Sequence, residues 1–137
     1  MRIVVGYTAT PEGEAALRRA VEEATLRGGE LIVVSSVPVH DGSGPGEGYA
    51  LSKKRLEAVA RRVDARGIPH EVRQVPRGAT AGDDLLGVAA EVDPDLVVIG
   101  LRRRSRVGKL VLGSNAQDVL LRAECPVLAV KADREDT

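Results

Sequence analysis

Apolar positions along the chain fall into two alternating rhythms. Short apolar runs mark five strands: Arg2 to Tyr7, Glu30 to Val37, about Glu71 to Pro76, Asp95 to Ile99, and Pro126 to Val130. Between them the apolar residues recur at helical spacing, as in Leu17, Ala20, Val21, Ala24 and in Leu56, Val59, Ala60, Val63. A third stripe is Leu85, Ala89, Val92, and a fourth is Ala116, Val119, Leu120, Ala123. The predicted order is β-α-β-α-β-α-β-α-β. Leu31-Ile32-Val33-Val34, Leu96-Val97-Val98-Ile99 and Val127-Leu128-Ala129-Val130 are continuous, as strands covered on both faces of a parallel sheet should be. Glu71-Val72-Arg73-Gln74-Val75 instead alternates and carries charge, which fits an edge. With right-handed crossovers the prediction is an α/β fold with one doubly wound, five-stranded parallel sheet. In strand order 3-2-1-4-5, the third and fifth strands are outermost.

Local punctuation supports these boundaries. Thr10-Pro11 places a hydroxyl at an N-cap and a proline at the first helical position. Ser114 followed by Gln117 reads as a capping box for the last helix. Gly28-Gly29 and Gly67 follow the first two helices, where a left-handed cap is wanted. Val39 to Gly48, with three glycines and a proline before its end, reads as a loop-like insertion, and the charged tail Ala132 to Thr137 as a fraying end.

Composition narrows the function. At 137 residues the chain is expected to form a single domain, residues 1–137, with a core that needs no metal or disulfide staple. Twenty basic against twenty acidic residues leave no excess for a phosphate backbone, and two tyrosines offer no base-stacking platform, so nucleic acid is not the expected partner. No run is long enough to cross a bilayer, and the opening residues do not read as a signal peptide. With one cysteine and no internal bridge possible, the expected location is the cytoplasm.

In an open parallel sheet, ligands bind beyond the carboxyl ends of the strands where strand order reverses. The segments expected there are Tyr7-Thr8-Ala9-Thr10 after the first strand and Gly100 to Lys109 after the fourth. The second leads through Leu112 to Gly113-Ser114-Asn115 at the start of the last helix, whose N–H groups and dipole suit an anion. Arg102, Arg103, Arg104, Arg106 and Lys109 crowd the same loop; they are either a solvated run or a phosphate clamp. Gly108-Lys109 is no Walker loop, because Leu110 stands where a hydroxyl is required. Candidates for catalysis are thin. His40 and His70 have no nucleophile nearby in sequence, Asp83-Asp84 complements a helix dipole, and Cys125 reads as a packed thiol. No metal-ligand spacing is present, so neither a structural metal nor an autonomous enzyme is expected.

Three passages resemble the universal stress protein family. Ile3-Val4-Val5-Gly6-Tyr7-Thr8-Ala9-Thr10 with Glu14-Ala15-Ala16-Leu17 is similar to its first strand and helix, and Asp93 to Gly100 to its fourth strand. Leu110-Val111-Leu112-Gly113-Ser114 with Cys125 to Val130 resembles its closing helix and strand. The resemblance implies a Rossmann-like fold of the adenine nucleotide alpha hydrolase type. In the family's ATP-binding branch the fourth strand is followed by glycine, two residues, a second glycine, nine residues, then glycine and serine. Gly100, Gly113 and Ser114 match, which implies phosphates at Gly113 and Ser114 and a ribose beside Gly100. The second glycine falls on Arg103, and Thr8 stands where the family carries an acid that holds the ribose, with Ala9 following in place of a glycine.

The residues expected to meet an adenine nucleotide are therefore Tyr7, Thr8, Ala9, Thr10, Val37, Gly100, Arg102, Arg103, Gly113, Ser114 and Asn115. The ligand is expected to be ATP or AMP, with magnesium as a companion of ATP. The resemblance also implies a homodimer formed by antiparallel pairing of Val127, Leu128, Ala129 and Val130. Two readings stand side by side at this point: a nucleotide-binding sensor with basic side chains replacing some backbone contacts, or a family member that acts through its dimer surface and binds no nucleotide. Slow ATP hydrolysis is a third, for which no base can be located.

Overall fold

A computed structural model describes residues 1–38, 47–103 and 110–132. Among the described residues six strands and four helices follow one another as β1 (Arg2–Gly6), α1 (Pro11–Arg27), β2 (Glu30–Val37), α2 (Glu47–Asp64), β3 (His70–Pro76), α3 (Ala81–Val92), β4 (Leu96–Arg103), β5 (Leu110–Val111), α4 (Ser114–Arg122) and β6 (Val127–Lys131). β3, β2, β1, β4 and β6 lie side by side in that order, all parallel. This is the predicted order, with β6 as the fifth parallel strand. β3 and β6 are its edges.

The strands sort their side chains by parity, as the pleat requires. Ile3, Val5, Leu31, Val33 and Val98 face α1 and α2, where Ala16, Leu17, Ala20, Val59 and Val63 meet them. Val4, Ile32, Val34, Val97 and Ile99 face α3 and α4 across Leu85, Val88 and Val119. Both faces are covered, which is why Ile3 to Val5, Leu31 to Val34 and Leu96 to Ile99 are unbroken apolar runs.

The structure corrects several expectations. β4 runs four residues past Ile99, and its last two pair antiparallel with β5. The stretch from Leu101 to Leu112 is therefore not all loop. α2 starts at Glu47, inside the supposed insertion; 39–46, with His40, lie outside the described residues. Leu120, placed in the apolar stripe of α4, is 40% exposed, because this short helix buries little more than Val119. Ala132 is buried rather than frayed, its N–H donating to the Leu101 carbonyl at 3.0 Å; 133–137 lie outside the described residues.

The capping box of α4 also fails. Gly113, extended at φ −68° and ψ 166°, is the N-cap, and Ser114 is already helical. Gln117 reaches back instead to the Leu112 carbonyl, its Nε2 donating at 3.1 Å. The other caps hold: Thr10 accepts from the Gly13 N–H at 3.1 Å, and Gly28 ends α1 in the left-handed region at φ 67°.

Candidate functional site

At the C-terminal ends of β1 and β4, where the chain turns from one half of the sheet to the other, a cavity of about 370 Å³ opens between the sheet and helices α3 and α4. Its inner wall is apolar, built by Val34, Leu85, Ile99 and Val119. Its mouth is polar and carries Thr8, Glu12, Gly100, Arg102, Gly113 and Ser114. A volume of this size suits a small ligand with one flat apolar end and one charged end.

Four observations explain the shape of the mouth. α4 starts on Gly113, which has no side chain to offer its helix, so the first N–H groups of α4 face the cavity without an N-cap side chain. α3 differs: its N-cap Thr80 accepts from the Asp83 N–H at 3.0 Å, and the Gly82 N–H donates to Asn115 Oδ1 at 2.8 Å. Asn115, expected to touch the ligand, thus ties the start of α4 to the start of α3, although it does line the cavity. Gly100 is held against α1 so closely that a Cβ there would sit 2.1 Å from the Glu12 carbonyl oxygen. Gly13 presses equally hard on the β1–α1 turn, where a Cβ would lie 1.9 Å from the Thr8 carbonyl oxygen. These contacts fix the first turn of α1 over the ends of β1 and β4.

The β1–α1 turn carries its own hydrogen bonds. Thr8 Oγ1 and Thr10 Oγ1 are 2.7 Å apart, and Thr10 is already the cap of α1. Thr10 therefore reaches the cavity through Thr8. Tyr7 turns inward and is buried; its hydroxyl donates to Glu14 Oε1 at 2.6 Å, and Arg62 Nη1 donates to the other Glu14 oxygen at 3.1 Å. Burial, reinforced by the Glu14 carboxylate, pushes the Tyr7 phenol up to about 12, so it is neutral at physiological pH. Ala9 and Val37 belong to a neighbouring hollow of about 210 Å³ on the α2 side, which shares Tyr7, Thr8 and Ser36 with the main cavity.

Of the predicted basic cradle, Arg102 lines the mouth but its side chain is 74% exposed, and its Nε stands 3.9 Å from Glu12 Oε1. Arg103 is the last residue of β4, while Arg104, Arg106 and Lys109 lie outside the described residues.

Sequence reasoning missed Glu12, Ser36 and Gly82 as lining residues. Ser36 Oγ donates to Asp84 Oδ2 at 2.7 Å, and Arg77 Nε donates to Ser36 Oγ at 3.1 Å, which locks the end of β2 to the first turn of α3. Asp83 beside it pairs with Arg122 Nη1 of α4 at 2.7 Å, and that guanidinium holds its carboxyl below the ordinary range. Asp83-Asp84 thus join elements as well as complementing a dipole. His70 Nδ1 lies 2.8 Å from the Ile68 carbonyl, at the entry of β3. Cys125 is half-buried against the α3–α4 layer, and burial pushes its thiol up. Among the described residues no three His, Cys, Asp or Glu side chains are grouped to hold a metal, and no helix is long and apolar enough to cross a membrane.

The doubly wound sheet, with a cavity at its crossover bounded by the N-terminus of α4, defines a Rossmann-like α/β protein. Its family follows from comparison. The model of the Universal stress protein family matches residues 1–131, and the chain belongs to that family. A universal stress protein of Mycolicibacterium smegmatis is 41% identical over 133 residues, covering 94% of this chain and 96% of the relative. The structure of the Archaeoglobus fulgidus universal stress protein in complex with dAMP superposes with a TM-score of 0.74 at 33% identity, covering 96% of this chain and 98% of that one. A universal stress protein in complex with cAMP gives 0.73 at 26% identity, covering 97% and 98%.

Proposed function

We propose that this chain is a homodimeric sensor that binds an adenine nucleotide, ATP or AMP, in the crossover cavity. The observation that carries the reading is the pairing of an apolar chamber with the Gly113 start of α4. The base would enter between Leu85, Ile99 and Val119, and the phosphates would take the N–H groups at Ser114. Two family members with more than a quarter of their residues in common with this chain were solved with dAMP and with cAMP, so adenine mononucleotides are the class to test first. Thr8 would contribute a hydroxyl and Arg102 a positive charge at the mouth. Magnesium would accompany ATP through its phosphates rather than through protein ligands.

The dimer would form at β6, which among the described residues pairs with β4 on one side only. Val127, Leu128, Ala129 and Val130 are each half-buried, so the edge presents apolar side chains and open backbone groups. Light scattering at micromolar concentration should return twice the chain mass; a monomer mass overturns this part.

A second reading, output through the dimer surface without a nucleotide, is favoured by one feature: the Glu12 carboxylate faces the same mouth and repels phosphate. Release of ligand decides between them. Heat-denatured protein should yield a supernatant absorbing near 260 nm, and stripped protein should titrate with AMP or ATP in calorimetry. Neither signal would leave the second reading in place.

A further inference from the structure

Glu12 is chemically out of place in an anion site. Of the described residues lining the cavity it is the one carboxylate, and its side chain is only 18% exposed. Its main chain is held in place, because the Glu12 carbonyl is wedged against Gly100, where no Cβ fits, and its own Cβ lies 3.0 Å from where a Gly100 Cβ would stand. The nearest described basic nitrogen is Arg102 Nε at 3.9 Å, beyond hydrogen-bond range. Carried by the first turn of α1 and lining the same cavity as Ser114, this carboxylate would repel the charged end of a ligand and attract hydroxyl or cationic groups.

We infer that Glu12 is a specificity-determining residue that accepts hydrogen bonds from the cis-diol of a ribose, so that the site distinguishes ribonucleotides from deoxyribonucleotides. A carboxylate has two acceptor oxygens spaced to take both hydroxyls of a vicinal diol, and each such bond is charge-assisted. Thr8 offers a single uncharged hydroxyl, part of whose capacity is taken by Thr10 at 2.7 Å, so it can add to such a contact but not replace the paired oxygens of a carboxylate. The sugar would then sit beside Gly100 and Glu12, the phosphate at α4 and the base in the apolar chamber. The inference rests on the proposed nucleotide binding and goes beyond it.

The test compares AMP with 2′-deoxy-AMP by calorimetry on the wild-type protein and on Glu12→Gln, in EDTA and again with magnesium. The wild type should bind AMP about tenfold more tightly than 2′-deoxy-AMP, the worth of one charge-assisted hydrogen bond. Glu12→Gln should lose most of that ratio while binding 2′-deoxy-AMP as well or better, since a negative charge near the phosphate is gone. The wild-type comparison needs no variant to fold, and a thermal melt reports whether the variant does. Equal wild-type affinities for the two ligands, or an unchanged ratio in the variant, overturn the inference while leaving nucleotide binding intact. A ratio that exists only with magnesium assigns Glu12 to a cation and overturns it too. If neither ligand binds, the inference falls together with the function it rests on.

Discussion

Gly100 and Gly113 are read alike from the family motif, yet their surroundings differ sharply, and Gly100→Ala tests that difference. A Cβ at residue 100 would lie 2.1 Å from the Glu12 carbonyl oxygen and 2.6 Å from its carbon, whereas real Cβ atoms stay beyond 3.0 Å. Backbone must therefore move by roughly 0.9 Å, since the obstacle is main chain and not the end of a flexible side chain. α1 has little freedom to give way, because Ala16, Leu17 and Ala20 are wholly buried against the sheet. Inserting one methyl into such a contact costs about 1–3 kcal/mol, and with main chain on the other side the upper end, about 3 kcal/mol, is expected. Against a total stability of about 5–15 kcal/mol the variant still folds. Urea unfolding followed by circular dichroism should show the midpoint falling by about 1–2 M at unchanged slope.

The control is Gly113→Ala. No atom lies within 4 Å of a Cβ there, and φ is −68°, which any residue adopts. Only the preference of an N-cap for glycine over alanine is lost, below about 1 kcal/mol. If Gly100→Ala were within about 0.5 kcal/mol of the wild type, the α1–β4 contact would not be as tight as described, and the argument that fixes Glu12 at the mouth would go with it.

Two further outcomes are expected. Gly113→Asp should stabilise the protein by about 1 kcal/mol, because its carboxylate caps α4, while abolishing AMP binding by occupying the ligand's N–H groups; AMP binding at wild-type strength in calorimetry would refute this. In a Tyr49→Phe background Tyr7 is the one remaining phenol, and its tyrosinate absorbance should titrate near 12 instead of near the ordinary value. Because the folded-state value is raised, the stability it represents, on the order of 2–3 kcal/mol, is complete below about pH 10 and is lost as pH climbs through 12. A midpoint near 10 in folded protein would show that Tyr7 is not sealed against Glu14.

What could be read from sequence was whatever depends on local period. β2 occupies the expected Glu30 to Val37, and Leu17, Ala20, Val21 and Ala24 are buried as their spacing requires. The alternation of Glu71 to Val75 marked β3 as an edge, whereas the continuous run Val127 to Val130 gave no sign that β6 is the other. The failures share another origin: they depend on partners distant in sequence. β4 continues past Ile99 because β6 pairs with Gly100 and Leu101 and β5 with Arg102 and Arg103, and nothing in the run Gly100 to Arg103 announces those partners. Ser114 and Gly113 are both acceptable N-caps by type; the start of α4 falls on the glycine, with Asn115 bonded to Gly82 of α3. Glu12, in the first turn of α1, is indistinguishable from a carboxylate placed to complement a dipole, which is also where Glu14 stands. Only the fold shows that Glu14 is consumed by Tyr7 and Arg62 while Glu12 turns to the cavity.

Thr8 looks like the loss of a ribose contact when the motif is read along the chain. In the structure Thr8 and Glu12 line one mouth, four residues apart, with Thr10 joining the first to the cap of the helix that carries the second. A carboxylate at residue 8 would share that mouth with Glu12, and two like charges in one partly dehydrated site oppose one another's ionisation. If Glu12 takes the ribose, a carboxylate in the first turn of α1 would serve in place of one at residue 8, provided Gly100 remains without a side chain to let that turn come down onto β4.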